Sequence, residues 1–148
     1  MTQLLSAPEL APKVARSFPG SVISSDKTGL LVRSQSLPGI AAWLKNTPEL
    51  DFNYLSAVIG TDYYDYFEVV YQLISLTHNH SLVLKARVAD RDHPVLPSLV
   101  GLWQGASFQE REIHDLLGIT FEGHPDMKPL VLWEGFEGHP LRKDFLQW

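Results

Sequence analysis

Cysteine is absent from the 148-residue chain. Its absence excludes disulfides, thiolate zinc sites, ordinary iron–sulfur ligation and a thiol nucleophile. If such a chain works beside redox chemistry, the clusters belong to its neighbours. Positive charge is scarce too, with 12 Lys and Arg against 17 Asp and Glu and a net charge of −5. Neutralising a phosphate backbone needs clustered cations, so nucleic acid is not an expected partner. No apolar run approaches the roughly 18–20 residues that a membrane-spanning helix needs. The opening MTQLLSAPELAPKVARSF has neither the charged start and long apolar stretch of a signal peptide nor the arginines of a transit peptide. What remains is ordinary for a folded soluble protein, with 45% hydrophobic and 20% charged residues. The length suffices for one domain with a real core.

Local signals divide the chain. Residues Ala7–Ser17 read as a short helix stopped by Pro19-Gly20. SVISS and LLVRS flank Asp26-Lys27-Thr28-Gly29 as a hairpin. GIAAWLKN, after Pro38, places Ile40, Trp43 and Leu44 at helical spacing. FNYLSAVIG opens a strand-rich region. In Tyr66–Leu76, Phe67, Val69, Tyr71 and Leu73 share one face, and in Leu82–Val88 so do Leu82, Leu84, Ala86 and Val88. THNHS between them predicts an antiparallel hairpin. SLVGLWQG and SFQEREIHDLLG read as helical, with Ser107 and Glu110 spaced for a capping box and Arg111 and Asp115 for an ion pair. Gly118 is placed to end that helix in a left-handed conformation.

The expected fold is α+β: an antiparallel sheet flanked by helices over residues 1–117, followed by a long extended arm over 118–148. No helix or strand signal persists in the arm, yet it holds Phe121, Met127, Leu130, Trp133, Phe136, Leu141, Phe145 and Trp148. A disordered tail would be poor in such residues. Apolar surface of this kind calls for cover, and a partner is the expected cover.

FEGHP occurs twice, at Phe121–Pro125 and Phe136–Pro140. His124, Asp126 and His139, with Glu122 or Glu137, could form a nitrogen and oxygen metal site. Against that, Gly-His-Pro makes a rigid turn whose imidazole binds backbone or carboxylate, and neither copy has a known ligand spacing. His78 and His80 sit at i and i+2 in a turn, where histidines are ordinarily solvated, and His93-Pro94 carries no distinct signal. His114-Asp115 lacks the further histidines of a metal phosphohydrolase. Glu110, Arg111, Glu112 and Asp115 include paired carboxylates, but a cap and an ion pair account for them more simply. LRKDF places Arg142 and Asp144 on one side of an extended segment and Lys143 and Phe145 on the other, as for a terminal anchor. No Ser–His–Asp order, phosphate loop or dinucleotide fingerprint is present.

EREIHDLLGITFEGHPD followed by GFEGHPLRKDF resembles the signature of the 30-kDa-type subunit, or C subunit, of respiratory NADH dehydrogenase (complex I). The likeness is strong from about Ser107 to Phe145, and the text after about Asp51 is similar to the family's strand–strand–helix core. His114 stands where the family more often has an aromatic, and Leu146 where proline is frequent. The resemblance implies a non-catalytic structural and assembly subunit of the peripheral arm of a proton-pumping NADH–quinone oxidoreductase. It implies no cofactor in this chain, with flavin, iron–sulfur clusters and quinone in partner subunits. It places the chain on the cytoplasmic side of the membrane, docked on the large quinone-site, hydrogenase-like subunit among other peripheral-arm subunits. The expected docking residues are Glu110, Arg111, Glu112, Asp115, Phe121, His124, Pro125, Asp126, Trp133, Phe136, His139, Pro140, Leu141, Arg142, Lys143, Asp144 and Phe145. The alternatives are the equivalent subunit of a membrane-bound energy-converting [NiFe] hydrogenase and, from another class, a small metal-dependent hydrolase using the two FEGHP histidines.

Overall fold

The computed structural model describes residues 3–125 and 138–143. In chain order the elements are β1 (Gln3–Leu4), α1 (Ala7–Ser17), β2 (Val22–Asp26), β3 (Gly29–Val32), α2 (Leu37–Asn46), β4 (Tyr54–Asp62), β5 (Phe67–Ser75), β6 (His80–Val88), β7 (Val95–Pro97), α3 (Ala106–Leu117) and β8 (Thr120–Glu122). The main sheet has the order β2-β3-β6-β5-β4, with β1 beside β6. The β5–β6 hairpin is antiparallel from Phe67↔Val88 to Ser75↔His80, so His80 belongs to the strand rather than the turn. β2–β3 and β4–β5 are antiparallel as well. β3 and β1 run parallel to β6, which makes the sheet mixed. The class expected from the sequence, α+β with helices against a sheet, is the one observed.

Period-two alternation builds the core. Phe67, Val69, Tyr71 and Leu73 of β5 lie buried against Leu82, Leu84 and Ala86 of β6. Each large apolar side chain so buried contributes about 1.5–3 kcal/mol relative to exposure. Each long helix presents one stripe to the same core: Ala7, Leu10 and Val14 from α1, Leu37, Ile40, Ala41 and Leu44 from α2, and Ala106, Ile113 and Leu117 from α3. β4 ends the sheet, and α3 lies on it. Gly60 permits this approach, because a Cβ there would sit 2.8 Å from a Leu117 methyl and 3.1 Å from Ile113. The Val58 amide of β4 donates to Oε1 of Gln109 on α3 at 2.6 Å.

Three further sequence readings need correction. SLVGLWQG is not a helix but a turn, in which the Leu102 and Trp103 amides both donate to the Leu99 carbonyl. Leu99 and Trp103 are buried, so helical spacing there reflects core contact within one turn that Gly101 and Gly105 do not extend. The Ser107–Glu110 capping box does not form. Gly105 takes the N-cap position, Ser107 lies inside α3, and Glu110 is buried on its core face. Residues 120–122, assigned from the sequence to an arm without strands, form β8, which pairs in parallel with β7. Ile119 and Phe121 belong to the core cluster. Gly118 does end α3 at φ 84°.

Candidate functional site

The two Gly-His-Pro motifs bracket α3. At its N-terminal end, Nε2 of His124 approaches the Ser107 carbonyl at 3.2 Å and the Ser107 hydroxyl at 3.3 Å. At its C-terminal end, Nδ1 of His139 donates to the Asp115 carbonyl at 2.8 Å. That carbonyl is one of the last-turn acceptors a helix cannot satisfy itself. The His139 ring lies on Gly118, so close that a Cβ there would stand 2.8 Å from Cδ2. The Leu141 amide extends the contact by donating to the Leu116 carbonyl at 2.8 Å. His114 adds a third link, with Nδ1 donating to the Ile119 carbonyl and its ring 6.1 Å from that of His139.

This placement sets the two histidines apart. Ser107 and Asp115 are separated by about 12 Å along α3 at 1.5 Å rise per residue, so His124 and His139 do not face one ion. Among the described residues, no three His, Asp or Glu groups converge as metal ligands. Asp126 and Glu137 lie outside the described residues. His78 and His80 also bind backbone. Their Nε2 atoms donate to the Pro48 and Leu50 carbonyls at 2.7 and 2.8 Å, pinning the α2–β4 connection.

Glu110 staples the turn that precedes its own helix. Its carboxylate accepts from the Ser98 hydroxyl at 2.5 Å and from the Leu99 amide at 2.9 Å. Burial raises its pKa, and these hydrogen bonds and His124 oppose the rise. The buried Tyr71 phenol is also pushed up, by burial first and by Glu110 second.

The C-terminal segment returns to the sheet at Asp62, a residue with no local signal in the sequence. The Asp62 side chain is fully buried and receives Arg91 through two hydrogen bonds, 2.6 and 2.8 Å. The Tyr64 amide donates to the same carboxylate at 2.8 Å and the Lys143 amide at 2.7 Å. The Arg91 hydrogen bonds hold its carboxyl well below the usual range against the cost of burial, and the two amides add to this. Nη2 of Arg142 donates to the Arg91 carbonyl at 2.7 Å, and both guanidinium groups lie by the Phe67 ring. Nζ of Lys143 lies 5.6 Å from the Tyr64 ring centroid.

The expected docking residues therefore separate. Glu110, Asp115 and Phe121 are buried in the chain's own domain. His124 and His139 are partly buried on α3, Arg142 is tied to the Arg91 carbonyl, and Pro140 is half-buried. Arg111 lies 5.9 Å from the Phe108 ring. Glu112, Pro125, Leu141 and Lys143 are exposed. Asp126, Trp133, Phe136, Asp144 and Phe145 lie outside the described residues. Asp62 and Arg91 complete the site that sequence reasoning missed, because their partners stand 29 and 81 residues away from Asp62.

Fold and site together define an α+β domain in which α3 is clamped at both ends by the segments that follow it. The chain belongs to the family described as respiratory-chain NADH dehydrogenase, 30 Kd subunit, whose family model matches residues 30–147. The NADH-quinone oxidoreductase C subunit of Roseiflexus sp. (strain RS-1) is 40% identical over 89% of this chain and 79% of its own length. Its counterpart in Roseiflexus castenholzii is 37% identical over 95% of this chain and 84% of its own. The fold is shared with a chain in the structure of the membrane-bound sulfane sulfur reductase, an archaeal respiratory membrane complex. That match has a TM-score of 0.75 and 22% identity, over 93% of this chain and 84% of the other.

Proposed function

We propose that this chain is the 30-kDa-type component of a complex I-type NADH–quinone oxidoreductase and serves it as a non-catalytic assembly subunit. On this reading its C-terminal arm docks on the large quinone-site subunit, on the cytoplasmic side of the membrane. Flavin, iron–sulfur clusters and quinone belong to the partners. The supporting observation is that both FEGHP histidines are spent on the backbone of α3. They hold the arm's root rather than a reacting group. The arm's apolar residues Trp133, Phe136, Phe145 and Trp148 are the expected contacts, at about 25 cal/mol per Å² of apolar surface covered. No helix among the described residues is long and apolar enough to cross a membrane, which accords with peripheral attachment. The two Roseiflexus chains, at 37–40% identity, are named as NADH-quinone oxidoreductase subunits, which ranks this reading ahead of the hydrogenase one.

A chain ending at Lys143 tests the proposal, since it keeps the clamp on α3 and the Asp62 network whole. It should still fold yet be recovered with the large subunit from solubilised membranes at a clearly lower level than wild type, because Phe145 and Trp148 are lost. Wild-type recovery of the shortened chain would refute docking by residues 144–148. A purified wild-type chain that binds zinc or iron stoichiometrically, and loses it in His124→Ala, would refute the non-catalytic reading.

A further inference from the structure

The turn between β4 and β5 exposes two tyrosines side by side. Tyr63 is 49% and Tyr64 68% exposed. Tyr64 also holds φ at 70°, a left-handed conformation that costs a bulky side chain about 1–2 kcal/mol. A large aromatic kept both strained and in water does little for the fold itself, and such strain persists where the surroundings enforce it. Here the enforcing group is Asp62, whose carboxylate fixes the Tyr64 amide.

The same carboxylate fixes the Lys143 amide, through its other oxygen. One buried side chain thus joins the exposed tyrosine tip to the root of the arm, and Lys143 lies over the Tyr64 ring. Leu141, two residues earlier, is 58% exposed although its amide is bound to α3. Strained aromatic tip and cation therefore adjoin at the arm's root, and the exposed leucine stands two residues before that cation in the chain.

We infer that Tyr63 and Tyr64 are part of the docking surface that receives the arm's partner, and that Asp62 is the positioning residue that holds tip and arm in register. The inference rests on the proposed docking of the arm. The occupant is the protein subunit that takes the arm, because the tip adjoins the arm's root. A tyrosine pair suits a protein surface with an apolar slot and a carbonyl or carboxylate at its mouth, where the ring is covered and the hydroxyl donates. Rigid aromatics held in place before binding lose little freedom on binding.

The test places a photo-activatable cross-linking residue at position 64 or 141 of the full-length chain, in a host lacking the native copy, and maps cross-linked peptides in the intact membrane complex. Both positions should cross-link to the same large subunit. Products from 141 alone, or products from 64 to a second copy of this chain, to lipid or to a different subunit, would overturn the inference and leave arm docking standing. The absence of large-subunit products from 141 would refute arm docking itself. Two substitutions give independent readings. Tyr64→Asn keeps a residue tolerant of positive φ and should lower recovery with the complex about fivefold or more at limiting expression, the loss typical of an aromatic hot spot. Asp62→Asn should speed tryptic cleavage after Arg142 and Lys143 about tenfold or more, as expected for loss of a hydrogen bond to a charged group. Unchanged cleavage in a folded Asp62→Asn chain would remove Asp62 from the positioning role.

Discussion

Gly118→Ala probes the clamp that the second FEGHP motif makes on α3. Gly118 sits at φ 84°, where alanine costs about 1–2 kcal/mol. The added Cβ would also stand 2.8 Å from Cδ2, 3.0 Å from Nε2 and 3.2 Å from Cγ of His139. The ring must move, and its hydrogen bond to the Asp115 carbonyl goes with it, a further loss of about 0.5–1.5 kcal/mol. The whole substitution should therefore cost about 2–3 kcal/mol. Urea unfolding followed by circular dichroism measures this, provided the slope with denaturant stays constant. A double-mutant cycle then isolates the clamp. In a His139→Ala background the ring is gone, and Gly118→Ala should cost only the backbone share of about 1–2 kcal/mol. If the cost is the same in both backgrounds, His139 does not pack on Gly118 in solution and the clamp is wrong.

Other outcomes follow from the same geometry. Gly60→Ala should destabilise the fold by about 1–3 kcal/mol by driving Leu117 and Ile113 off β4, and stability equal to wild type would mean that α3 does not lie on that strand. Asp62 has a depressed pKa, so its stabilisation is complete above the ordinary value of 3.8 and is lost as pH falls through the folded value. In acid unfolding, as pH falls from 3.8 towards the folded value, wild type should lose stability relative to Asp62→Asn by up to about 1.4 kcal/mol per pH unit, and parallel curves would refute the network. Glu110 has the opposite sign. Its raised pKa gives stability fully present below the ordinary 4.5 and lost as pH rises through the folded value, so wild type should gain on Glu110→Gln between pH 7 and pH 4. Glu110→Ala should cost about 2–4 kcal/mol at neutral pH by leaving the buried Leu99 amide without an acceptor, as measured by thermal or urea unfolding.

What could be read from the sequence was what is local. The β5–β6 hairpin was legible because its alternating apolar residues fill a one-sided core, and α1 because Pro19-Gly20 stops it. SLVGLWQG misled because Leu99 and Trp103 satisfy helical spacing within a single buried turn. The capping-box pattern misled because Glu110 lies four residues after Ala106 and three before Ile113, on the same face. That spacing was itself the available sign that the carboxylate would be buried. β8 is three residues long, too short for a periodic signal. The family signature pointed to α3 and the segments around it, and the contacts of its members came only from tertiary structure. His139 meets Gly118, and Lys143 meets Asp62, across separations that no window of sequence spans.

The contact of α3 with β4 bears on the life of the chain before assembly. A terminal strand is a template on which other strands can add, and a protein awaiting its partner is exposed to that hazard. β4 is the last strand of the main sheet. Gln109 occupies the outward amide of Val58, and the bare backbone at Gly60 lets Ile113 and Leu117 lie across the strand. The helix that carries the family signature therefore also covers one face of this terminal strand and occupies one of its outward amides. Loosening it would show first as aggregation of unassembled chains, before any loss from the finished complex.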